Sequence, residues 1–272
     1  MAEIATRVQS PSSINTYKQC PRKYYYIYIK KLPTKPSIHL VRGTIVHETL
    51  EYFFERTVPH TTGDLLMDLQ LHILTILKER WTEHSAEVET LPLTASDITS
   101  YREETTIMIL NWLNHFFAKL QKEMRAGWQF PEAFARLTPR REEEYRHEEL
   151  QVRGFIDAIH EIDGEVHIRD YKTSKHPVIT EEYQLQLALY ALMYERKHGI
   201  KPTSLGIFFL KHGETLMELN DELLRRTTLD VRWVHERTQT DDLTEYPKRA
   251  SPLCNYCDFY EQCWKQKEIS DF

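Results

Sequence analysis

Apolar residues recur with two different periods along the chain, and the change of period divides the chain into two parts. Up to about residue 126 they recur three and four positions apart, which is the spacing of one buried helix face. An early helix is predicted from Ser12 or Ser13, with a break at Cys20-Pro21 because proline disfavours helix just before itself. The region 44–126 is predicted to be almost wholly helical, with helices over 44–56, 64–82 and 96–125.

From residue 141 onward, apolar and polar residues alternate with the period of two that is typical of strands. Asp163-Gly164 is a preferred two-residue hairpin turn, so the strands on either side of it are predicted to pair antiparallel. The expected order is strands at 141–147, 150–161 and 164–172, a helix over 180–197, a hairpin of 205–210 with 215–219, and a helix from 220 or 221 to about 238. This order predicts an α/β fold with a large helical insertion.

Three of the charged residues on the two strands that flank the Asp163-Gly164 turn are predicted to lie close together. Asp170 and Lys172 are two positions apart, so their side chains point to the same face of one strand. Counting back from the turn places Asp157 directly opposite Asp170, where Cβ atoms lie about 5 Å apart. Two carboxylates this close repel each other unless a cation lies between them, and Mg²⁺ or Mn²⁺ suits carboxylate oxygens.

An isolated Asp-x-Lys is more often an ordinary charged face of a strand. Here the facing Asp157 and the apolar neighbours Phe155, Ile156 and Ile168 favour a metal site instead.

The composition is that of a globular protein, with 41% hydrophobic and 28% charged residues among 272. No stretch approaches the roughly 20 apolar residues of a membrane helix, and residues 1–10 lack the apolar segment of a secretory signal. We therefore expect an intracellular (cytoplasmic) protein without a membrane partner. The net charge of −6 disfavours nucleic-acid binding as an average over the chain.

Residues 18–42 depart from that average, because they contain seven Lys or Arg, no acidic residue, and interleaved tyrosines. One interpretation is a solvated basic face whose tyrosines point into the core. The other is a basic track for phosphates beside the predicted metal site.

Six segments of the chain carry a family resemblance: SPSSINTYKQCPRKYYY, RGTIVHETLE, GFIDAI, DYKT, QLALY and CNYCDFYEQC. They resemble motifs of the PD-(D/E)XK nuclease superfamily, and in particular its RecB-like branch. That branch includes the RecB and AddB nuclease domains and CRISPR-associated exonucleases with a C-terminal iron–sulfur cluster. The resemblance implies a restriction-endonuclease-like core, in which a central mixed sheet is flanked by helices. It spans nearly the whole chain, so we treat 1–272 as a single nuclease domain.

Within that domain the resemblance implies four parts: an N-terminal helix with the first cluster cysteine (11–42), a helical insertion (44–126), a nuclease core (140–240) and an iron–sulfur tail (250–272). It also implies roles for individual residues. The metal ligands would be His47, Asp157, Asp170 and the Tyr171 carbonyl, and Lys172 would assist the attacking water. Gln186 and Tyr190 would orient the lysine and contact DNA, and the other predicted DNA contacts are Arg22, Lys23 and Lys30.

His47 alone would more often be a helix histidine with an ordinary hydrogen bond. Its surroundings, His-Glu-x-x-Glu, are similar to a zinc-protease helix, but Glu51 stands where the second histidine would be, which excludes that site. We expect Glu51 to accept the second N–H of a metal-bound His47.

Cys254, Cys257 and Cys263 form a compact group, and Cys20 lies far upstream. Four thiolates suit either zinc or an iron–sulfur cluster, and the spacing alone slightly favours zinc. The family resemblance instead implies a 4Fe–4S cluster that joins the two ends of the chain.

The resulting prediction is a metal-dependent deoxyribonuclease, with a single-stranded DNA exonuclease as the expected kind. A helicase or another recombination or CRISPR-adaptation protein is an expected partner, since the chain has no helicase motif. Two alternatives stay open: a catalytically silent DNA-binding or scaffold subunit with a nuclease fold, and a zinc module that binds a protein partner.

Overall fold

The structure is a computed structural model that describes residues 7–59 and 61–264. Its first half is helical, and its elements are α1 (Pro11–Gln19), α2 (Pro21–Tyr24), a π-helical turn (Tyr25–Ile29), α3 (Ile38–Glu55), α4 (Leu65–Glu83), α5 (Ser85–Glu89), α6 (Ala95–Arg125) and α7 (Phe130–Leu137). The second half contains β1 (Arg140–His147), β2 (Val152–Ile162), β3 (Glu165–Lys172), α8 (Glu181–His198), β4 (Ser204–Phe209), β5 (Gly213–Met217), α9 (Asp221–Arg237) and α10 (Tyr260–Trp264). Short 3₁₀ turns lie at Leu243–Glu245 and Pro252–Tyr256.

The five strands form one mixed sheet in the order β1-β2-β3-β4-β5. All neighbours pair antiparallel except β3 and β4, which are parallel and are connected through α8. Parallel neighbours need a crossover of this kind. The predicted α/β fold with a mixed sheet is confirmed.

Each face of the sheet is covered by its own hydrophobic cluster. On the first face, α1, α8 and α9 pack over strand residues such as Ile159, Ile168 and Ile207. On the second face, helices α3, α4 and α6 pack over Ala158, Tyr171 and Phe208. The predicted helical insertion thus builds the second layer of the molecule.

The predicted strands and helices agree with the structure within a few residues, apart from the start of α3 and some elements that were not predicted. Helix α3 begins at Ile38 rather than after Gly43, because the Ser37 side chain accepts from the His39 N–H and caps it. Helix α7 and the π-helical turn were not predicted. The tyrosines of the basic segment lie in the core, as the first interpretation expected: Tyr17, Tyr24, Tyr25 and Tyr26 are all buried.

In the described part of the chain, no helix has the length and apolar character needed to cross a membrane. Residues 265–272 of the predicted iron–sulfur tail, and residues 1–6, lie outside the described residues.

Candidate active site

The hairpin of β2 and β3 has the register that the Asp163-Gly164 turn predicts. Both turn residues have positive φ (53° and 83°), as a two-residue hairpin turn of this type requires. The last paired position is Ala158 with Arg169, so Asp157 and Asp170 occupy the next facing positions. The ladder ends there because the Tyr171 N–H donates to the Asp157 carboxylate, at 2.8 Å.

A third carboxylate occupies the same row of the sheet. The β1–β2 register pairs Arg141 with Ala158 and Glu143 with Ile156, so Glu142 faces Asp157, but those two residues are not paired. Glu142 has a φ of 48°, which L-residues rarely adopt within a strand. Beside it, β2 has four consecutive buried residues, from Ile156 to Ile159, so its in–out alternation changes phase at Asp157.

His47 reaches this row from helix α3. Its Nδ1 lies 3.2 Å from Glu142 Oε1 and 3.6 Å from Asp157 Oδ2. His47, Glu142 and Asp157 each offer a ligand atom, and the three atoms lie within 4.8 Å of one another. Glu142 is the acceptor found at His47 Nδ1, and Glu51 lines the same pocket as His47, so its expected contact with the other ring nitrogen stays a prediction.

Asp170 is the most deeply buried acid of the group, with 1% of its surface exposed. Of its two buried carboxylate oxygens, Oδ1 has no hydrogen-bond partner among the described residues. Its close contact is an ion pair in which Lys172 Nζ lies 2.5 Å from Oδ2. A buried anion with unused lone pairs next to other carboxylates fits a divalent cation bound by oxygen.

The pKa values of the group reflect burial and crowding of negative charge. Burial, reinforced by the charge of Asp170, raises the pKa of Asp157. Burial lowers the pKa of His47, but Asp157 and Glu142 outweigh it and raise that pKa to about 9. Burial also opposes the ammonium form of Lys172, yet Asp170 and Asp157 raise its pKa, so Lys172 is a cation at neutral pH.

The Gln186–Tyr190 pair on α8 lies at the edge of this site. Gln186 Nε2 donates to the Tyr190 hydroxyl at 2.7 Å, and Tyr190 is buried. Burial, followed by the charges of Asp170 and Asp157, raises the pKa of Tyr190, which places the ring close to both carboxylates. Lys172 Nζ lies 5.5 Å from the ring centre of Tyr183, another residue of α8 that sequence reasoning did not select.

The four cysteines are free thiols and line one pocket, together with Tyr26 and Phe259. Cys20 lies between α1 and α2, Cys254 and Cys257 lie in and directly after the 3₁₀ turn at Pro252–Tyr256, and Cys263 lies in α10. Burial and the nearby Cys20 raise the pKa of the Cys263 thiol. Among the described side chains, only the His47 group brings three ligand atoms within 4.8 Å of one another, so no three cysteine sulfurs are that close.

The predicted basic DNA contacts lie in different surroundings. Arg22 is buried, with 7% exposed, and its Nε donates to the Tyr246 carbonyl at 2.7 Å, which argues against a DNA contact by this residue. Lys23 lines the cysteine pocket, and Lys30 is exposed with its Nζ 5.5 Å from the ring centre of Tyr25.

Glu142 is the site residue that sequence reasoning missed. It belongs to a run of three glutamates, and nothing in a single sequence tells which of them faces Asp157. Correct pairing of β1 with β2 would have identified it.

Comparison with known proteins adds an independent result. The model of a family described as the PD-(D/E)XK nuclease superfamily matches residues 9–264.

Two phage proteins are similar in sequence. The chain is 28% identical over 232 residues to the Gene 69 protein of Mycobacterium phage D29, which covers 77% of this chain and 77% of that protein. It is 24% identical to the Gene 69 protein of Mycobacterium phage L5. That alignment covers 94% of this chain and 96% of the phage L5 protein.

Among solved structures, a candidate exonuclease from Eubacterium rectale superposes with a TM-score of 0.52 at 14% identity. The superposition covers 99% of this chain and 94% of that one. At this identity the likeness concerns the fold alone.

Proposed function

The chain belongs to the PD-(D/E)XK nuclease superfamily, and from this premise we propose that it is a metal-dependent deoxyribonuclease that hydrolyses single-stranded DNA from an end. The observation that carries the proposal is Asp170, a buried carboxylate whose Oδ2 pairs with Lys172 and whose Oδ1 has no hydrogen-bond partner among the described residues. Nucleases of this superfamily generally use Mg²⁺ or Mn²⁺, and the acidic row offers oxygen ligands for such an ion.

The residues that would hold the ion are Asp157, Asp170, His47 and the Tyr171 carbonyl, to which the geometry adds Glu142. When bound, the ion would polarise the scissile phosphate and lower the pKa of the attacking water. Asp157 is preorganised for this task because the Tyr171 N–H fixes its carboxylate.

Lys172 would position the attacking water and stabilise the negative charge that develops on the phosphate. Its raised pKa keeps it protonated, so it acts as a hydrogen-bond donor rather than as a proton acceptor. The ion pair with Asp170 fixes the position of the ammonium, and the Gln186–Tyr190 pair lies close enough to orient substrate beside it.

For the cysteines we propose a 4Fe–4S cluster of the RecB-like branch. Four free thiols in one pocket are a suitable donor set. The choice of an iron–sulfur cluster over zinc rests on the resemblance to the RecB-like branch.

The action on single-stranded DNA and the requirement for an end rest on the resemblance to RecB-like exonucleases. A helicase or another recombination or CRISPR-adaptation protein remains the proposed partner. Lys23 and Lys30 are the proposed DNA contacts, whereas burial makes Arg22 and Tyr190 structural residues.

Digestion of 5′-labelled, 3′-labelled and circular single strands with Mn²⁺ tests the proposal. We expect linear strands to be degraded from one end and circles to survive. Lys172→Ala should lose the degradation of linear strands. Degradation of circles would contradict the end requirement. Absence of metal-dependent cleavage in the wild type would favour the alternative, a silent DNA-binding or scaffold subunit.

A further inference from the structure

A cavity of about 340 Å³ lies between helix α6 and the second face of the sheet. We call it the α6 pocket and define it by Trp112, Lys119, Lys122, His160, Tyr171 and Phe208. Its size falls within the range of pockets that bind small organic molecules.

The floor of the α6 pocket is polar where a helix-covered sheet is usually apolar. His160 and His167 face each other across β2 and β3, and Arg169 follows on the same face. On the opposite face, the neighbouring positions are apolar and fully packed, as with Ile159 and Ile168. An ordinary helix–sheet contact buries apolar residues, so this internally paired polar floor marks a part of the sheet that α6 leaves open to a polar ligand.

The charges around the pocket leave an excess of cations. Glu214 is held by Arg169, and Arg136 holds both Glu123 and Asp163, at 3.1 and 2.9 Å. Lys119 lies 3.9 Å from the already paired Glu214, and no ion pair of Lys122 is found among the described residues. Burial, with Lys119 and Arg169 next in effect, lowers the pKa of His160 to about 4. The pocket therefore favours an anion.

The inner wall of the α6 pocket is aromatic. Trp112 and Phe116 stack with ring centres 5.5 Å apart, and Tyr171 and Phe208 continue the wall along the sheet. Aromatic side chains beside cationic donors match a ligand with a planar ring and a phosphate. We propose that the α6 pocket binds a nucleoside monophosphate, with the base against the aromatic wall and the phosphate toward Lys119 and Lys122.

The position of the pocket supports this ligand. Tyr171 lines both the α6 pocket and the pocket of His47 and Glu142, so one residue separates the two spaces. This step rests on the proposed function, since an exonuclease releases nucleoside monophosphates beside Tyr171. Binding itself does not require nuclease activity, so the two proposals can fail separately.

The test is calorimetric titration of the full chain with dAMP, deoxyadenosine and inorganic phosphate, in EDTA and at low salt. We expect dAMP to bind more tightly than either fragment, because both halves of the pocket contribute. The double variant Lys119→Ala/Lys122→Ala should weaken dAMP binding at least about tenfold, since it removes both charge-assisted phosphate contacts. Both lysines are exposed on α6, so the fold should be unaffected.

Two further variants locate the binding. Lys78→Ala removes an exposed lysine of α4 and Lys172→Ala one in the acidic site; both should bind dAMP as the wild type does. Loss of binding in Lys172→Ala would place dAMP in the active site and overturn the proposal. Equal binding of phosphate and dAMP, unchanged binding in the double variant, or no binding by the wild type would each overturn it too.

Discussion

The two candidate metal centres of this protein are built in opposite ways. The acidic site (His47, Glu142, Asp157, Asp170 and Lys172) takes its residues from one helix and three adjacent strands, and both aspartates are buried. The cysteine site (Cys20, Cys254, Cys257 and Cys263) takes its residues from the α1–α2 junction and from the turns and the short helix α10 that follow α9, and all four are half-buried. One site is positioned by backbone hydrogen bonds, whereas the other has little regular structure to position it.

This difference predicts whether each site keeps its structure when its metal ion or cluster is absent. Sheet register holds the carboxylates together even though their charges repel, so the acidic site should persist without metal. The cysteine site closes a loop of more than two hundred residues, and ordering such a long loop is entropically costly without a crosslink. We therefore expect loss of metal to affect activity in the first case and folding in the second.

The largest expected effect separates activity from stability at the acidic site. Lys172→Ala should reduce cleavage of single-stranded DNA by about 10²–10⁴-fold, because it removes a group that acts in the transition state. The melting temperature in the presence of Mn²⁺ should change little, since a bound ion neutralises the buried Asp170 carboxylate that Lys172 pairs with. Lys175→Ala, an exposed lysine three residues on, is the matched control and should keep full activity. A melting temperature that falls together with activity would contradict the contrast.

The next effect is the reverse one, at the cysteine site. Cys257→Ser should lower the free energy of unfolding by about 2–5 kcal/mol, as loss of a long-loop crosslink does. It should also remove bound iron and the visible absorption at about 400 nm that an iron–sulfur cluster gives. Tyr256→Ser, at a neighbouring residue that is 87% exposed, should leave both unchanged. Stoichiometric zinc without iron in the wild type would exclude the cluster.

A smaller effect tests whether Glu142 belongs to the acidic site. Glu142→Gln keeps the shape of the side chain but removes a charge beside His47, so Mn²⁺ should bind about 10–100-fold more weakly. Glu144→Gln, two residues along the same strand, should bind Mn²⁺ normally. Titration calorimetry measures both, and equal affinities would remove Glu142 from the site.

The smallest effect is the dependence of stability on pH. Asp157 and His47 have raised pKa values, so the folded protein holds more protons than the unfolded chain. Their contribution to stability should therefore fall as pH rises. For Asp157 the fall begins at about pH 4, and for His47 it runs from about pH 6.5 to about pH 9. Mn²⁺ competes with these protons, so its increase of the melting temperature should be larger at about pH 8.5 than at about pH 6. The opposite trend would indicate that the metal does not bind there.

Much of the acidic site follows from the sequence because its rules are local. The Asp163-Gly164 turn determines the β2–β3 register, and the strand period then brings Asp157, Asp170 and Lys172 together. Glu142 did not follow, since the pairing of β1 depends on a less regular turn and on a backbone conformation that glutamate rarely adopts. The start of α3 was misplaced because Gly43 suggested a boundary, whereas the cap at Ser37 prevailed.

The basic segment shows a different reason for failure. Its composition was read correctly as basic and aromatic, but composition does not tell which side of a helix is buried. Tertiary packing placed Tyr24 and Arg22 inside, the latter against the Tyr246 carbonyl more than two hundred residues away. Contacts over such distances cannot be predicted from local patterns.

The positive φ of Glu142 lowers the stability of the fold at a residue that the metal site uses. Of the four non-glycine residues with positive φ in the described part of the chain, only Glu142 lies within a strand, and that conformation costs about 1–2 kcal/mol for an L-residue. Selection for heat resistance alone would be expected to replace it with asparagine or glycine, which tolerate the conformation. If glutamate were retained at this position under such selection, the function of Glu142 would matter more for survival than the stability gained by replacing it.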